Sequence, residues 1–220
     1  MNSEVLKNIS YGMYAVGVKD SDKVSASIIN SVTQISSGSA VNLAVCVNKS
    51  SYTAYCIKKS AVFTVSVLSQ ETPATIIGVL GLVSGKKTDK LRNVRHKVLN
   101  EGVPVLKENT CCWFLCKLIK TVEIGDQYIF IGTVEAGSDV SIGVPMTYDY
   151  YTNVLNGTAP MDTPSYIAPQ QTFDKSSGES FACKVCGYVY NDPNFSFEEL
   201  GDKWLCPVCK MPKSAFFRKK

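Results

Sequence analysis

The sequence reads Cys183-Lys184-Val185-Cys186-Gly187-Tyr188 near its end and then, with nineteen residues between the two motifs, Cys206-Pro207-Val208-Cys209. Each C-x-x-C knuckle is a tight turn that directs two thiolates at one point, so the pair offers four sulfurs to a tetrahedral ion. The spacing fits a structural zinc ribbon as well as an iron tetrathiolate, and it leaves the choice of metal open. A segment of about 40 residues cannot hold itself together by a hydrophobic core alone, so we expect a metal-stapled minidomain behind one ordinary domain.

The residues around the cysteines favour iron. Tyr188 and Tyr190 follow the first knuckle, Trp204 precedes the second, Pro207 lies inside it and Phe216 follows it. These residues resemble the rubredoxin family, in which aromatic side chains form a small core under the metal and backbone N–H groups bond the sulfurs. The acidic, Gly-rich loop that most free rubredoxins carry between their knuckles is shorter here. The resemblance implies one iron with four ligands: Cys183, Cys186, Cys206 and Cys209.

Composition limits the remaining possibilities. The chain of 220 residues has no run of about 18 apolar residues, and its first residues lack the features of a signal peptide. A net charge of +4 is too weak to argue for nucleic acid. We therefore expect a soluble cytoplasmic protein that binds neither membrane nor nucleic acid. The five other cysteines are expected to be reduced, buried small hydrophobes: Cys46, Cys56, Cys111, Cys112 and Cys116.

Strand signals dominate the part of the chain before the knuckles. Residues 14–19 and 23–29 predict a hairpin around Asp20-Ser21-Asp22, and further strands are predicted at 41–47, 61–68, 111–122 and 127–136, the last two joined by Ile124-Gly125-Asp126. Helices are predicted from near Ser50 or Ser51, over 73–83 with Thr72 as N-cap, and in the basic stretch 86–97. Many strands with few helices indicate a mainly β fold, an antiparallel barrel.

A linker separates this barrel from the knuckles. Residues 158–180 contain several prolines and then a polar run. The predicted division is therefore a barrel domain over 1–157, a linker over 158–180 and a metal domain over 181–220. The polar part of about eleven residues would span roughly 17–20 Å root-mean-square. That reach lets the metal domain approach a site in its own chain or in a neighbouring one.

Two polar segments leave predicted strands, at 30–35 and at 48–53. The first offers short hydrogen-bonding side chains, and the second brings hydroxyls, a lysine and unpaired N–H groups to the start of a helix, where a phosphate could sit. A flavin site needs such an anion cradle, short polar groups for the pyrimidine edge and an apolar wall. Ser and Thr clusters also serve as N-caps and turns, so that alternative stays open.

These segments belong to a longer resemblance. Residues 27–36, 41–53 and 61–69, with Ser84-Gly85 and Asp89-Lys90-Leu91, resemble the flavin reductase family with its FMN-binding split barrel, over about residues 1–155. The resemblance implies FMN near a homodimer interface. It places Asn30, Ser31 and Thr33 at the isoalloxazine, and assigns the ribityl chain and phosphate to Asn48, Lys49, Ser50, Ser51 and Thr53. Lys90 is a second phosphate candidate, whose alternative is a solvated helix face shared with Lys86, Arg92, Arg95 and Lys97.

Two departures bear on the reaction. Gly125-Asp126-Gln127 stands where the family often has Gly-Asp-His, a histidine associated with nicotinamide handling, and Ser39-Ala40 replaces paired prolines. Direct reaction with NAD(P)H is therefore an open question. The single histidine, His96, is expected at the surface, and no Ser/His/Asp or Cys/His set can be built around it. We expect no catalytic side chain, so the chemistry falls to the cofactors.

The order of the two domains resembles the high-molecular-weight rubredoxins, electron donors to flavodiiron proteins in anaerobes. It implies an oxidoreductase that passes electrons from NAD(P)H or an upstream reductase through FMN and iron to a flavodiiron oxygen or nitric oxide reductase. Two alternatives remain. One is an NAD(P)H:flavin reductase that releases free reduced FMN, and the other is a non-enzymatic zinc-ribbon interaction protein on a ligand-free barrel.

Overall fold

The computed structural model describes residues 3–155, 180–183, 188–190, 196–201, 204–206 and 211–219. Short helical turns lie at Ser3–Asn8, Tyr150–Val154 and Lys213–Ala215. The strands and longer helices are β1 Tyr14–Asp20, β2 Lys23–Ile29, β3 Val32–Ser36, β4 Asn42–Asn48, α1 Tyr52–Ser60, β5 Val62–Leu68, α2 Ala74–Leu82, β6 His96–Val98, β7 Pro104–Leu106, β8 Thr110–Ile124, β9 Gln127–Gly137, β10 Ser180–Cys183, β11 Val189–Tyr190 and β12 Phe216–Lys219.

Seven antiparallel strands form one sheet in the order β2-β1-β5-β8-β9-β4-β3. The strands at the two ends of this order, β2 and β3, are separated in sequence only by Asn30 and Ser31. Because successive Cα atoms are about 3.8 Å apart, two such strands must lie next to each other, so the sheet curls until its ends meet. The Ser31 carbonyl accepts from the Cys46 N–H of β4 at 3.1 Å, which extends the β3–β4 pairing up to the seam where β2 and β3 meet. The predicted antiparallel barrel is confirmed.

Alternating apolar residues fill the barrel. Val16, Val45, Phe63, Val65 and Phe130 are each 0% exposed and pack in one cluster. They come from four different strands, β1, β4, β5 and β9, whose inward-facing side chains meet at the barrel axis. A second cluster holds α2 and the loop after it against the outside of β1 and β2, through residues that include Ile77, Leu80 and Leu91. This packing places α2 beside β2.

The first helix begins where the sequence predicts it. Ser51 is the N-cap of α1, with its Oγ accepting from the Ala54 N–H at 3.0 Å. The helix ends at Ala61, whose left-handed φ of 56° lets its N–H donate to the Ile57 carbonyl. Residues 48–51 are thus fixed between β4 and α1 by the turn and by the cap.

The second helix lies within one residue of its predicted span at each end, but its predicted N-cap is not observed. α2 begins after Pro73, which makes no side-chain cap bond. Thr72 donates instead to the carbonyls of Ser69 and Asn109, at 2.7 and 2.8 Å. The prediction of Thr72 as N-cap is therefore wrong, because that hydroxyl ties the segment before the helix to the loop before β8.

Two further predictions fail. Residues 86–97 form turns followed by β6 instead of a third helix. The Asp89 carboxylate accepts from the Leu91 N–H at 3.1 Å, a local bond that competes with helix formation. Residues 32–36 form strand β3, which the sequence analysis treated only as a polar segment leaving β2.

The C-terminal residues form a small three-stranded sheet in the order β11-β10-β12. Its core is aromatic: the rings of Phe181 and Phe197 stack with centroids 4.3 Å apart, and Trp204 meets Phe216 edge-on at 5.2 Å. Within the described ranges, no helix combines the length and the apolar character needed to cross a bilayer. The linker prediction for 158–180 falls almost entirely outside those ranges.

Candidate functional site

The two predicted polar segments lie side by side along the barrel seam. The hydroxyls of Ser27 on β2 and Thr53 on α1 are 2.7 Å apart, so the helix start rests on the strand that carries the first segment. Beyond β2, Asn30 is 7% exposed, and its Oδ1 accepts from the Ser31 hydroxyl at 3.0 Å. Thr33 follows on β3 and is exposed. Short polar groups therefore run along one seam from the start of α1 to β3.

A third segment, the turn after α2, closes over the same strand. An added Cβ at Gly85 would lie 2.2 Å from the Ser25 Oγ and 3.3 Å from the Tyr52 ring. Only a residue without a side chain fits between β2 and the start of α1 at this position. Ser25 and Ser27 are two apart on one strand and thus share a face. Neither serine was among the predicted site residues, although the spacing of two along a predicted strand could have indicated a shared polar face.

Lys90 lies buried at the end of this turn. Its side chain is 4% exposed, and its Nζ donates to the Leu80 carbonyl near the end of α2. Burial lowers the pKa of Lys90 to about 8, because desolvation disfavours the ammonium form. Gly81, next to Leu80, packs on Ile28 of β2, with 3.4 Å to an added Cβ. A buried cation beside β2 suits an anionic ligand.

The neighbours of Lys90 behave differently. The alternative prediction of a solvated helix face is wrong for Lys90, since the segment is not helical and Lys90 is inside. The other cations of the stretch remain in solvent: Lys86, Arg92, Arg95 and Lys97 are exposed. The only histidine, His96, is half-buried, and its Nδ1 lies 2.8 Å from the Val94 carbonyl. His96 is therefore less exposed than the surface residue that the sequence predicts.

Several predicted phosphate residues hold local structure. The Asn48 Oδ1 accepts from the N–H and hydroxyl of Ser50, at 2.9 and 2.6 Å, and Ser51 caps α1. Lys49 forms an ion pair with Glu123 on β8 and lies 5.5 Å from the Tyr128 ring centroid. The structure thus brings Thr53 to the β2 serines, whereas it directs Lys49 toward β8 and places Ser50, which is exposed, in a turn.

Gln127 adds an unsatisfied group beside these residues. It begins β9 directly opposite Asn48 on β4. Its Oε1 is buried, with no hydrogen-bond partner among the described residues. An orphaned buried acceptor is costly, and a ligand that donates a hydrogen bond would offset that cost. The N–H groups of a flavin are such donors, and the seam hydroxyls and buried Lys90 are the other kinds of group that a flavin site needs.

The five cysteines outside the knuckles are unsuited to nucleophilic chemistry. Burial raises the pKa of Cys56 to about 11 and that of Cys116 to about 12, so both stay protonated near neutral pH. Cys56, Cys111 and Cys116 are buried and unbridged, as predicted, whereas Cys46 and Cys112 are only half-buried. Their pKa values are also raised, first by burial.

The described cysteines of the two knuckles lie in one buried cluster. Cys183 and Cys206 are 1% and 0% exposed and pack with Phe197 and Phe216. Each is fixed by the same backbone bond five residues on: the Cys183 N–H donates to the Tyr188 carbonyl, and the Cys206 N–H to the Met211 carbonyl, both at 2.8 Å. Cys186 and Cys209 lie outside the described residues. The repeated bond and the aromatic packing fit a shared metal, while the four-sulfur set stays a prediction.

Comparison with known proteins matches both parts of the chain. Residues 6–154 match the Flavin reductase like domain family, and residues 180–216 match the Rubredoxin family. The high molecular weight rubredoxin of Moorella thermoacetica is 33% identical, over 98% of this chain and 99% of its own length. A ferric-chelate reductase (NAD(P)H) of Archaeoglobus fulgidus is 30% identical over 76% of this chain and 98% of its own.

Among solved structures, the NADH:FAD oxidoreductase SgcE6 of Streptomyces globisporus C-1027, in complex with NAD and FAD fragments, is 25% identical with a TM-score of 0.54, over 61% of this chain and 78% of its own. The chain therefore belongs to the flavin reductase-like family, as an oxidoreductase homologous to high molecular weight rubredoxin in which a C-terminal rubredoxin domain follows the flavin-binding fold.

Proposed function

We propose that the chain is an electron-transfer oxidoreductase that passes electrons from NAD(P)H or an upstream reductase through FMN and one Fe(Cys)4 centre to a flavodiiron oxygen or nitric oxide reductase. The observation that carries the proposal is the presence of both domains in one chain, matched over nearly its full length by a high molecular weight rubredoxin. FMN takes up two electrons together and releases them singly, which suits an iron tetrathiolate that accepts one at a time.

At the barrel seam, the proposal assigns the phosphate end of FMN to Thr53 and Lys90. The Thr53 hydroxyl already meets that of Ser27, and Lys90 supplies the buried cation. Desolvation makes its charge costly without an anion, so a bound phosphate would stabilise the charged form of Lys90. Asn30, Ser31 and Thr33 would then border the isoalloxazine, whose amide-like edge needs donors and acceptors of this kind.

The donor side rests on the site and on one relative. The name of the Archaeoglobus fulgidus relative, a ferric-chelate reductase (NAD(P)H), supports a nicotinamide as donor. Gln127 replaces the family histidine, and its amide is neutral at every pH but keeps a donor and an acceptor. We propose that Gln127 uses its buried Oε1 to hold a bound group in position, and that it transfers no proton.

On the acceptor side, the proposal places iron on Cys183, Cys186, Cys206 and Cys209. In the described half of the site, backbone bonds hold Cys183 and Cys206 among aromatic rings that exclude water. Low exposure and backbone N–H groups near the sulfurs are the features by which proteins tune iron–sulfur centres. The partner is proposed from the same resemblance, as is a homodimer that places FMN near its interface. The described surface has apolar residues free for such contacts, including Val140 and Ile142, 70% and 69% exposed.

One preparation tests the cofactors. Protein purified without oxygen is assayed for iron, zinc and released flavin, and its visible spectrum is recorded before and after dithionite. We expect one iron and one FMN per chain, both bleached on reduction. Zinc without flavin would contradict the proposal and leave an interaction protein. The SgcE6 complex names FAD as its flavin. Finding FAD in this chain instead of FMN would correct only the identity of the flavin.

A second assay tests the partners. Steady-state oxidation of NADH and of NADPH is followed with a flavodiiron protein as acceptor, and separately with excess free FMN. We expect rapid turnover with the flavodiiron protein and little with free FMN. Faster turnover with free FMN than with the protein acceptor would indicate a free-flavin reductase instead.

A further inference from the structure

Helix α2 is apolar on nearly every side. Its sequence is Ala-Thr-Ile-Ile-Gly-Val-Leu-Gly-Leu, with one polar side chain in nine residues. A helix of this composition is normally covered all round. One side of α2 is covered, since Ile77 and Leu80 are 3% and 0% exposed in the cluster beside β2. On the other side Val79 is 41% exposed and Leu82 is half-buried, whereas half-buried Ile76 still packs against the cluster beside β2. The barrel alone leaves this side incomplete.

One residue of this helix packs with the described core of the C-terminal domain. Leu82, the last residue of α2, packs against the buried cluster of Cys183, Phe197, Cys206 and Phe216. Within the described residues, it is the member of that cluster that comes from the barrel domain. The contact therefore joins the end of an apolar helix to the part of the C-terminal domain that contains the knuckle cysteines.

The same end of α2 borders the flavin site. Gly81 packs on Ile28 of β2, and the Leu80 carbonyl accepts from Lys90. A few residues later, Gly85 lies against Ser25 and Tyr52. The segment that touches the knuckle cluster is thus continuous with the segment that closes the phosphate end of the seam.

We propose that the exposed side of α2, formed by Leu82 and Val79, is the surface on which the C-terminal domain of the same chain docks for electron transfer. The assignment of the surface to electron transfer rests on the proposed function; the docking itself rests on the contact at Leu82. Chain connectivity favours the same chain, because a tethered domain reaches an effective concentration in the millimolar range. A surface of two aliphatic side chains is small enough to release the domain again.

Methyl NMR on the full chain tests the docking without any electron flow. Protein with labelled Ile, Leu and Val methyl groups is prepared with ferric iron and, in parallel, with zinc. Ferric iron broadens the resonances of nearby nuclei and zinc does not. We expect the Leu82 and Val79 signals to broaden strongly in the iron form only. The signals of Ile119 and Ile124 should have the same line width in the iron and zinc forms, because β8 lies three strands from β2 in the sheet order.

Two variants make the test specific. Leu82→Glu should restore sharp Val79 signals in the iron form, because it buries a charge in the contact. Val98→Glu, at a residue 45% exposed on β6, is the matched control and should leave the broadening unchanged. If the Leu82 and Val79 signals have the same line widths in the iron form as in the zinc form of the unmodified protein, the proposal is overturned. This comparison needs no variant.

A mixed sample identifies the docking chain. Labelled zinc protein is mixed with unlabelled iron protein under conditions that allow subunits to exchange. We expect sharp Leu82 signals in this sample. Broadening there would place the docked domain on the partner chain and overturn the same-chain assignment. Failure of the proposed function would be seen in a different experiment, in which no electron donor reduces the iron through the flavin. If that function holds, Leu82→Glu should slow iron reduction by at least about tenfold while flavin reduction keeps its rate.

Discussion

The barrel and the C-terminal domain are stabilised by different means. The barrel encloses aliphatic and aromatic residues from strands far apart in the sequence, such as Val16, Phe63 and Phe130. The C-terminal domain has a few rings around two buried cysteines in about 40 residues, too few to fold without a further staple. The difference teaches that the two proposed cofactors have unequal structural roles: the metal would be part of the fold of its domain, while the flavin would bind to a barrel that has an apolar core of its own.

The largest expected effect comes from the metal side. Cys206→Ser should abolish metal binding and unfold the C-terminal domain, because metal binding supplies most of the folding free energy of such a site. The barrel should keep its flavin and its melting temperature. Metal analysis and the fluorescence of Trp204, compared with that of the same substitution at buried Cys116, check this. Loss of bound flavin in Cys206→Ser alone would contradict the independence of the two domains.

A core substitution tests the converse. Phe63 is 0% exposed inside the barrel, so Phe63→Ala should lower the free energy of unfolding of the barrel by about 3–5 kcal/mol. The iron spectrum should not change at temperatures below barrel melting. Chemical denaturation followed by the flavin and iron chromophores separates the two transitions, with exposed Val98→Ala as control. A single transition shared by both chromophores would show coupled domains.

Lys90 connects ligand binding to stability. Lys90→Met should weaken FMN binding about 10- to 100-fold, since a charge-assisted bond to phosphate is lost. It should also raise the stability of the flavin-free protein by about 1–3 kcal/mol, because a desolvated charge is removed. Titration calorimetry and thermal unfolding measure both effects. Lys86→Met, at an exposed lysine, should change neither.

The pKa of Lys90 gives that prediction a pH signature. Its folded value of about 8 lies below the unfolded value of 10.5, so the unfolded chain binds more protons between these values. Stability of the flavin-free protein should therefore rise as pH increases from about 8 to 10.5. FMN affinity should fall over the same range, as the lysine loses its proton. A pH-independent affinity in the unmodified protein would exclude Lys90 from the phosphate site.

The smallest expected effect separates capping from cofactor binding at Ser51. Ser51→Ala should cost about 1 kcal/mol of stability through the lost cap. Ser51→Asp should keep that stability, because aspartate caps a helix well, but should weaken FMN binding about tenfold or more if phosphate lies at the start of α1. Unchanged FMN affinity in Ser51→Asp would restrict Ser51 to a capping role. Fluorescence titration of FMN measures the affinity.

A site is easier to predict from the sequence when its residues are close together along the chain. Each knuckle is such a local motif, so the spacing of the cysteines and the aromatic residues nearby predicted the metal domain. The proposed flavin site combines β2, α1 and the turn after α2, and which of its residues are buried depends on packing that sequence periodicity does not reveal. Lys90 stands among exposed cations in sequence yet is 4% exposed, and Thr72 has a cap's sequence position yet bonds to Asn109. β3 was missed because its exposed polar residues give no alternating apolar signal.

Rapid mixing of the anaerobic full chain with NAD(P)H or a reductase tests the central claim most directly, with flavin and iron absorbance recorded on protein that contains FMN and on the same protein after FMN removal. The account predicts that iron is reduced after flavin in the first sample, stays oxidised in the second, and is reduced again once FMN is restored. Iron reduction at the same rate with and without FMN would contradict a relay through the two domains.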